Sequence, residues 1–114
     1  MAITLRNIEQ ARNSTEIWPV ELTDSLLSGA TILSATGTIA YSDSSVSGAV
    51  TGSVGTIVVT SPDASGKHYI YVPVTFGGTA TLGVHWVDVT VTIDNTGTLV
   101  NETPVHRLEI VVRR

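Results

Sequence analysis

The sequence predicts an all-β chain folded as a single antiparallel sandwich, and three observations carry that prediction. The β-branched residues Thr (17) and Val (16) are the commonest of the 114, followed by Ser (11) and Gly (10). Such side chains are stiff at χ1 and fit a pleated sheet better than a helix. Apolar and polar residues alternate with period two in several segments, and beyond residue 15 no stretch carries a 3.6-residue period. Gly and Pro fall between those segments, at the spacing expected of short strands and turns.

Residues 1–15 read as an N-terminal arm and residues 16–114 as the sandwich domain. The arm is rich in amide and basic side chains, among them Arg6, Asn7, Gln10, Arg12 and Asn13. Asn7 is placed to cap one helical turn with Gln10 three residues on, and one turn alone is marginal in water. The arm is expected either to lie in solvent or to dock on a neighbouring subunit through Leu5, Ile8 and Arg12. Removing residues 1–14 is expected to leave a folded, β-rich monomer.

The strands follow in order. In Trp18-Pro19-Val20-Glu21-Leu22 the even positions are apolar and face a core. Pro19 has no N–H for a ladder, which predicts an edge strand or a strand start. Asp24 to Gly29 is a connection. Ala30 to Tyr41 is a second strand, with a break or bulge expected at Gly37. Val46 to Val50 is a weak third strand, and Thr56 to Thr60 a short fourth. Ser61 to Gly66 is a loop by composition. From Lys67 to Phe76, His68, Ile70, Val72, Val74 and Phe76 share one face, and Tyr69, Tyr71, Pro73 and Thr75 the other. Pro73 again suggests an edge.

Val84 to Ile93 alternates most strongly, with Val87, Val89, Val91 and Ile93 on one face and Trp86, Asp88, Thr90 and Thr92 on the other. Asp94 to Gly97 is a tight turn. Pro104 to Arg113 closes the domain with His106, Leu108, Ile110 and Val112 inward. About seven strands so arranged describe an immunoglobulin-like antiparallel sandwich; a closed small barrel is the alternative topology.

Composition narrows the function. A formal charge of −4, with five Arg and one Lys, supplies no basic field for nucleic acid. No apolar run approaches the roughly 20 residues of a membrane-spanning helix, and the first 14 residues lack the apolar segment of a secretory signal. There is no Cys, hence no disulfide framework and no thiolate metal site. His68, His85 and His106 stand at no metal-ligand spacing, His68 and His106 on inward faces read as structural, and no metal or cofactor is expected. No nucleophile elbow, paired carboxylate or phosphate-cradling loop is present, and no enzymatic activity is expected. Asn13-Ser14-Thr15 and Asn101-Glu102-Thr103 match the glycosylation triplet without a signal to support it.

What remains is apolar material on outward faces: Tyr69 and Tyr71 on one strand and Trp86 on another. Aromatics in such places are enriched at protein interfaces. With Leu5, Ile8 and Arg12 they make up the expected protein-interface residues. Thr and Ser stand on outward positions where Lys and Glu are usual, and such a surface is easier to desolvate against a neighbour.

The stretch from Ile17 to Ile32 (IWPVELTDSLLSGATI) resembles the opening of small tailed-phage proteins of the fiber-tail adaptor or immunoglobulin-like virion type. Phe76-Gly77-Gly78-Thr79-Ala80 is similar to their turn before a penultimate strand, and Arg107 to Val112 to their closing strand. The resemblance covers Ile17 to Val112 and rests on turn and strand signals. It implies a structural virion protein, an adaptor or decoration subunit. Its expected partners are other capsid, neck or tail proteins, present with it in multiple copies, with no nucleic acid and no membrane. It further implies assembly in the host cytoplasm and residence in the virion. A carbohydrate- or receptor-binding β-sandwich module is the alternative function.

Overall fold

A computed structural model describes residues 4–22, 30–43, 45–46, 52–61, 64–94 and 102–114, with residues 4–7 described by their backbone alone. Their strands are β1 (Thr4–Ala11), β2 (Ser14–Glu21), β3 (Thr31–Tyr41), β4 (Gly52–Val54), β5 (Val58–Val59), β6 (Tyr69–Phe76), β7 (Gly83–Asp94) and β8 (Val105–Arg113). One sheet runs β1-β8-β7-β3 and the other β2-β6-β4, with β5 also pairing β6. The described chain is thus all β, in two packed sheets. The expected strand from Val46 to Val50, the turn from Asp94 to Gly97 and the connection ending at Gly29 lie largely or wholly outside the described residues.

The period-two pattern is realised as written. In β7, His85, Val87, Val89, Val91 and Ile93 are each 0% exposed while their neighbours are half-buried. Ile70, Val72, Val74 and Phe76 of β6 and Leu108, Ile110 and Val112 of β8 fill the same interior, joined by Val20 and Leu22. A central layer of mostly β-branched residues follows from alternation on strands that cover each other.

Residues 4–11, expected as part of an arm with one helical turn, are instead a sheet strand. β1 pairs in parallel with β8 from Thr4↔Arg107 to Ala11↔Arg113, with one irregularity between Leu5 and Ile8. The tertiary ladder overrides the local capping signal of Asn7. The chain then turns at Arg12 and Asn13 and enters the other sheet as β2. Asn13 adopts φ 58°, the left-handed region that Asn tolerates better than most residues. Arg12 N–H donates to Arg113 O at 2.7 Å, and the Arg12 guanidinium Nε–H to Ala80 O at 2.6 Å.

Gln10 locks this corner. Its side chain is 1% exposed. Its Nε2 donates to Val74 O at 2.7 Å, and its Oε1 accepts from Trp18 Nε1 at 3.0 Å. One amide therefore ties β1 of the first sheet to β2 and β6 of the second.

Two further expectations are corrected. Pro19 lies in an edge strand, but Pro73 lies in β6, the central strand of its sheet. Pro73 O accepts from Gly55 N at 2.9 Å. A strand residue turns its N and O to the same neighbour, so the missing donor of Pro73 faces that side too. There the partner strand is broken into β4 and β5, on either side of residues 55–57. The irregularity of β3 lies not at Gly37 but between Ile32 and Ser34, where Leu33 is the extra residue. Gly37 has another reason. A Cβ there would stand 2.7 Å from Val54 Cγ1, so glycine allows β3 and β4 to pack closely across the sandwich.

Candidate interface

The outward aromatics fall on opposite faces of the molecule. Trp86 is on the outer face of the β1-β8-β7-β3 sheet. The Arg107 guanidinium lies 4.1 Å from the centre of its ring. The same guanidinium donates through Nε to Asp88 Oδ1 at 2.7 Å and through Nη2 to Asp88 Oδ2 at 3.0 Å. The carboxylate holds Arg107 still more firmly in its charged form. Register explains the cluster, since Asp88 pairs directly with Arg107 and Trp86 with Glu109. This is a small, self-satisfied polar patch with its aromatic face already covered.

Tyr69 and Tyr71 are on the outer face of the other sheet, in a different setting. Their rings stack with centroids 6.3 Å apart and planes at 25°. Pro19 of β2 pairs with Tyr71, and Val58 of β5 pairs with Tyr71 from the other side. Ile17 pairs with Pro73. Cross-strand neighbours on one face touch, so Ile17, Pro19, Val58, Tyr71 and Pro73 form one apolar strip. Ile17 is 62% exposed and Val58 54%. The strip is bounded at one end by hydroxyls, with Thr15 and Thr75 bonded at 2.8 Å. At the other end stands the loose pair Lys67–Glu21 at 3.9 Å, which at that exposure contributes little to stability.

Of the expected arm contacts, Ile8 and Arg12 stand apart from both aromatic patches. Ile8 is half-buried and packs against the core. Arg12 is half-buried in the corner turn. Leu5 pairs with Leu108 through its backbone, and its side chain lies outside the described residues. Ile17, Pro19 and Val58 are not among the interface residues expected from the sequence. The signal for two of them was present: Ile17 and Pro19 are apolar at odd positions of a strand whose even positions already face the core.

The three histidines belong to the interior or its rim. His85 is fully buried between the rings of Tyr41 and Phe76, each at 5.0 Å and edge-on. His106 is 1% exposed, and burial holds its imidazole below the ordinary value. His68 lines a cleft of about 230 Å³ with Thr31, Ile32, Val59, Thr60 and Ser61. Among the described residues no three His, Cys, Asp or Glu side chains are grouped as a metal site requires. No described helix is long and apolar enough to cross a membrane. No family model, curated protein or solved structure matches the chain.

Proposed function

We propose that the chain is a structural virion protein of a tailed bacteriophage, an immunoglobulin-like adaptor or decoration subunit that acts by docking on other capsid, neck or tail proteins. The observation that carries this reading is the apolar strip of Ile17, Pro19, Val58, Tyr71 and Pro73 on the outer face of the smaller sheet. Rigid rings on a sheet face lose little entropy on contact, and aromatic anchors are the usual centres of binding energy. The resemblance from Ile17 to Val112 supplies the kind of partner. Repetition in a symmetric particle multiplies a weak single contact. The arrangement asks for no catalytic group.

The test replaces Ile17 and Val58 together by Lys. Both are well exposed, so fold and melting temperature should stay close to those of the parent. Particles assembled with the variant should carry far fewer copies, counted by quantitative mass spectrometry. A full complement of the variant, or absence of the parent chain from purified particles, overturns the reading.

The alternative, a carbohydrate- or receptor-binding module, is favoured by one observation, the stacked Tyr69–Tyr71 pair. Trp86 speaks less for it, because Arg107 lies on the ring where a sugar would stack. Saccharide-induced shifts at the Tyr69 and Tyr71 ring signals would support the alternative over the first reading.

A further inference from the structure

We infer that β3 is the site at which a second copy of this chain adds, edge to edge and antiparallel, joining two four-stranded sheets into one. The inference does not rest on the virion reading. It starts from the contrast among edges. β1 carries Arg6, Glu9 and a ladder irregularity, β2 carries Glu16, Pro19 and Glu21, and β4 and β5 are three and two residues long. Each has a device that blunts strand pairing. β3 has none. Over Thr31–Tyr41 it runs 11 residues with no charge and no proline. Among the described residues it has β7 on one side and no strand on the other.

The backbone shows what the side away from β7 offers. Ser42 N donates to Val84 O at 3.1 Å, so the even-numbered residues of β3 beyond Leu33 turn their polar groups to β7. Ala35, Gly37, Ile39 and Tyr41 therefore present N–H and C=O outward along the edge. These groups are self-complementary about a two-fold axis at Gly37. Ala35 then exchanges hydrogen bonds with Ile39 of the second copy, and Thr36 stands opposite Thr38 with hydroxyls in contact range.

The seam beneath says why a second copy fits. On the β1–β2 side the sandwich is sealed by the Asn13 turn and by Gln10. On the β3 side an open groove of about 460 Å³ is lined by Ala35–Gly37 and Val54–Ile57. Ile32, Ala35, Ile39 and Val54 are only partly buried there. A strand added beside β3 continues its pleat, so the inward Ala35 and Ile39 of the second copy come to lie over this opening. Uncharged β3 brings no like charge against itself.

The test is sedimentation equilibrium of the full chain at rising concentration, with residue-resolved amide exchange. The parent should dimerise, and the amides of Ala35, Gly37, Ile39 and Tyr41 should become protected as it does. Thr36→Lys with Thr38→Lys places like charges opposite each other and should weaken dimerisation about tenfold or more, with the monomer's melting temperature kept. Mixing this variant with Thr36→Glu, Thr38→Glu should restore a heterodimer, which simple destabilisation would not do. A parent that stays monomeric at high micromolar concentration overturns the inference. So does a dimer indifferent to both pairs of substitutions, or protection confined to the outer face of β6.

Discussion

His106 shows how one side chain couples the fold to pH. Its imidazole is buried, and loss of hydration holds its pKa below the ordinary 6.5. In the unfolded chain the same ring takes up its proton near that ordinary value. Between the two the unfolded state binds more protons, so stability falls as pH falls. The contribution is whole above about pH 6.5 and is lost on acidification toward the folded value. His106→Leu should therefore flatten part of the decline in urea midpoint between neutral and mildly acidic pH. Parallel slopes for parent and variant would remove His106 from this account. The burial of His106 was legible from its place in the alternation of Pro104 to Arg113. That of Gln10 was not, because an amide near a chain end gives no local sign that a carbonyl 64 residues away requires it.

At the scale of elements, Gly37 governs how closely the sheets approach over β3 and β4. Gly37→Ala forces a methyl to within 2.7 Å of Val54 Cγ1 unless the strands shift. We expect a loss of about 1–3 kcal/mol in urea unfolding, as for other overpacked contacts. Adding Val54→Ala should return part of it as a favourable coupling in a double-mutant cycle. An unchanged midpoint for Gly37→Ala would mean that the two strands do not press on each other there.

The strands richest in Val were plain in the sequence because period-two alternation is a local property, and β6, β7 and β8 lie within a few residues of their expected bounds. What alternation cannot carry is sheet order. Pro73 suggested an edge, yet it stands in a central strand whose partner is interrupted opposite it. The glycine in β3 suggested a bulge, yet it answers to a valine from the other sheet.

For the molecule as a whole, the largest revision concerns residues 4–11. They form the outermost strand of a sheet and deliver Gln10 to the interior. Deleting residues 1–11 removes a ladder and takes the Gln10 amide from Val74 O and Trp18 Nε1, at about 0.5–1.5 kcal/mol for each hydrogen bond lost. The truncated chain should unfold at distinctly lower urea, with tryptophan emission red-shifted before the main transition as Trp18 meets more water. An unchanged midpoint would make these residues an appendage after all. The candidate interface was half legible for a related reason. Outward aromatics can be read along a strand, but the pairing that gathers Ile17, Pro19 and Val58 around Tyr71 is set by register between segments far apart in the chain.

The parallel ladder between the first and last strands also has a mechanical meaning. Thr4 lies beside Arg107 and Ala11 beside Arg113, so a pull at Thr4 and Arg113 is directed toward opposite ends of one ladder. Such a load shears its hydrogen bonds together instead of opening them one after another. With force applied between those two points, the domain resists as a clasp and not as a zip.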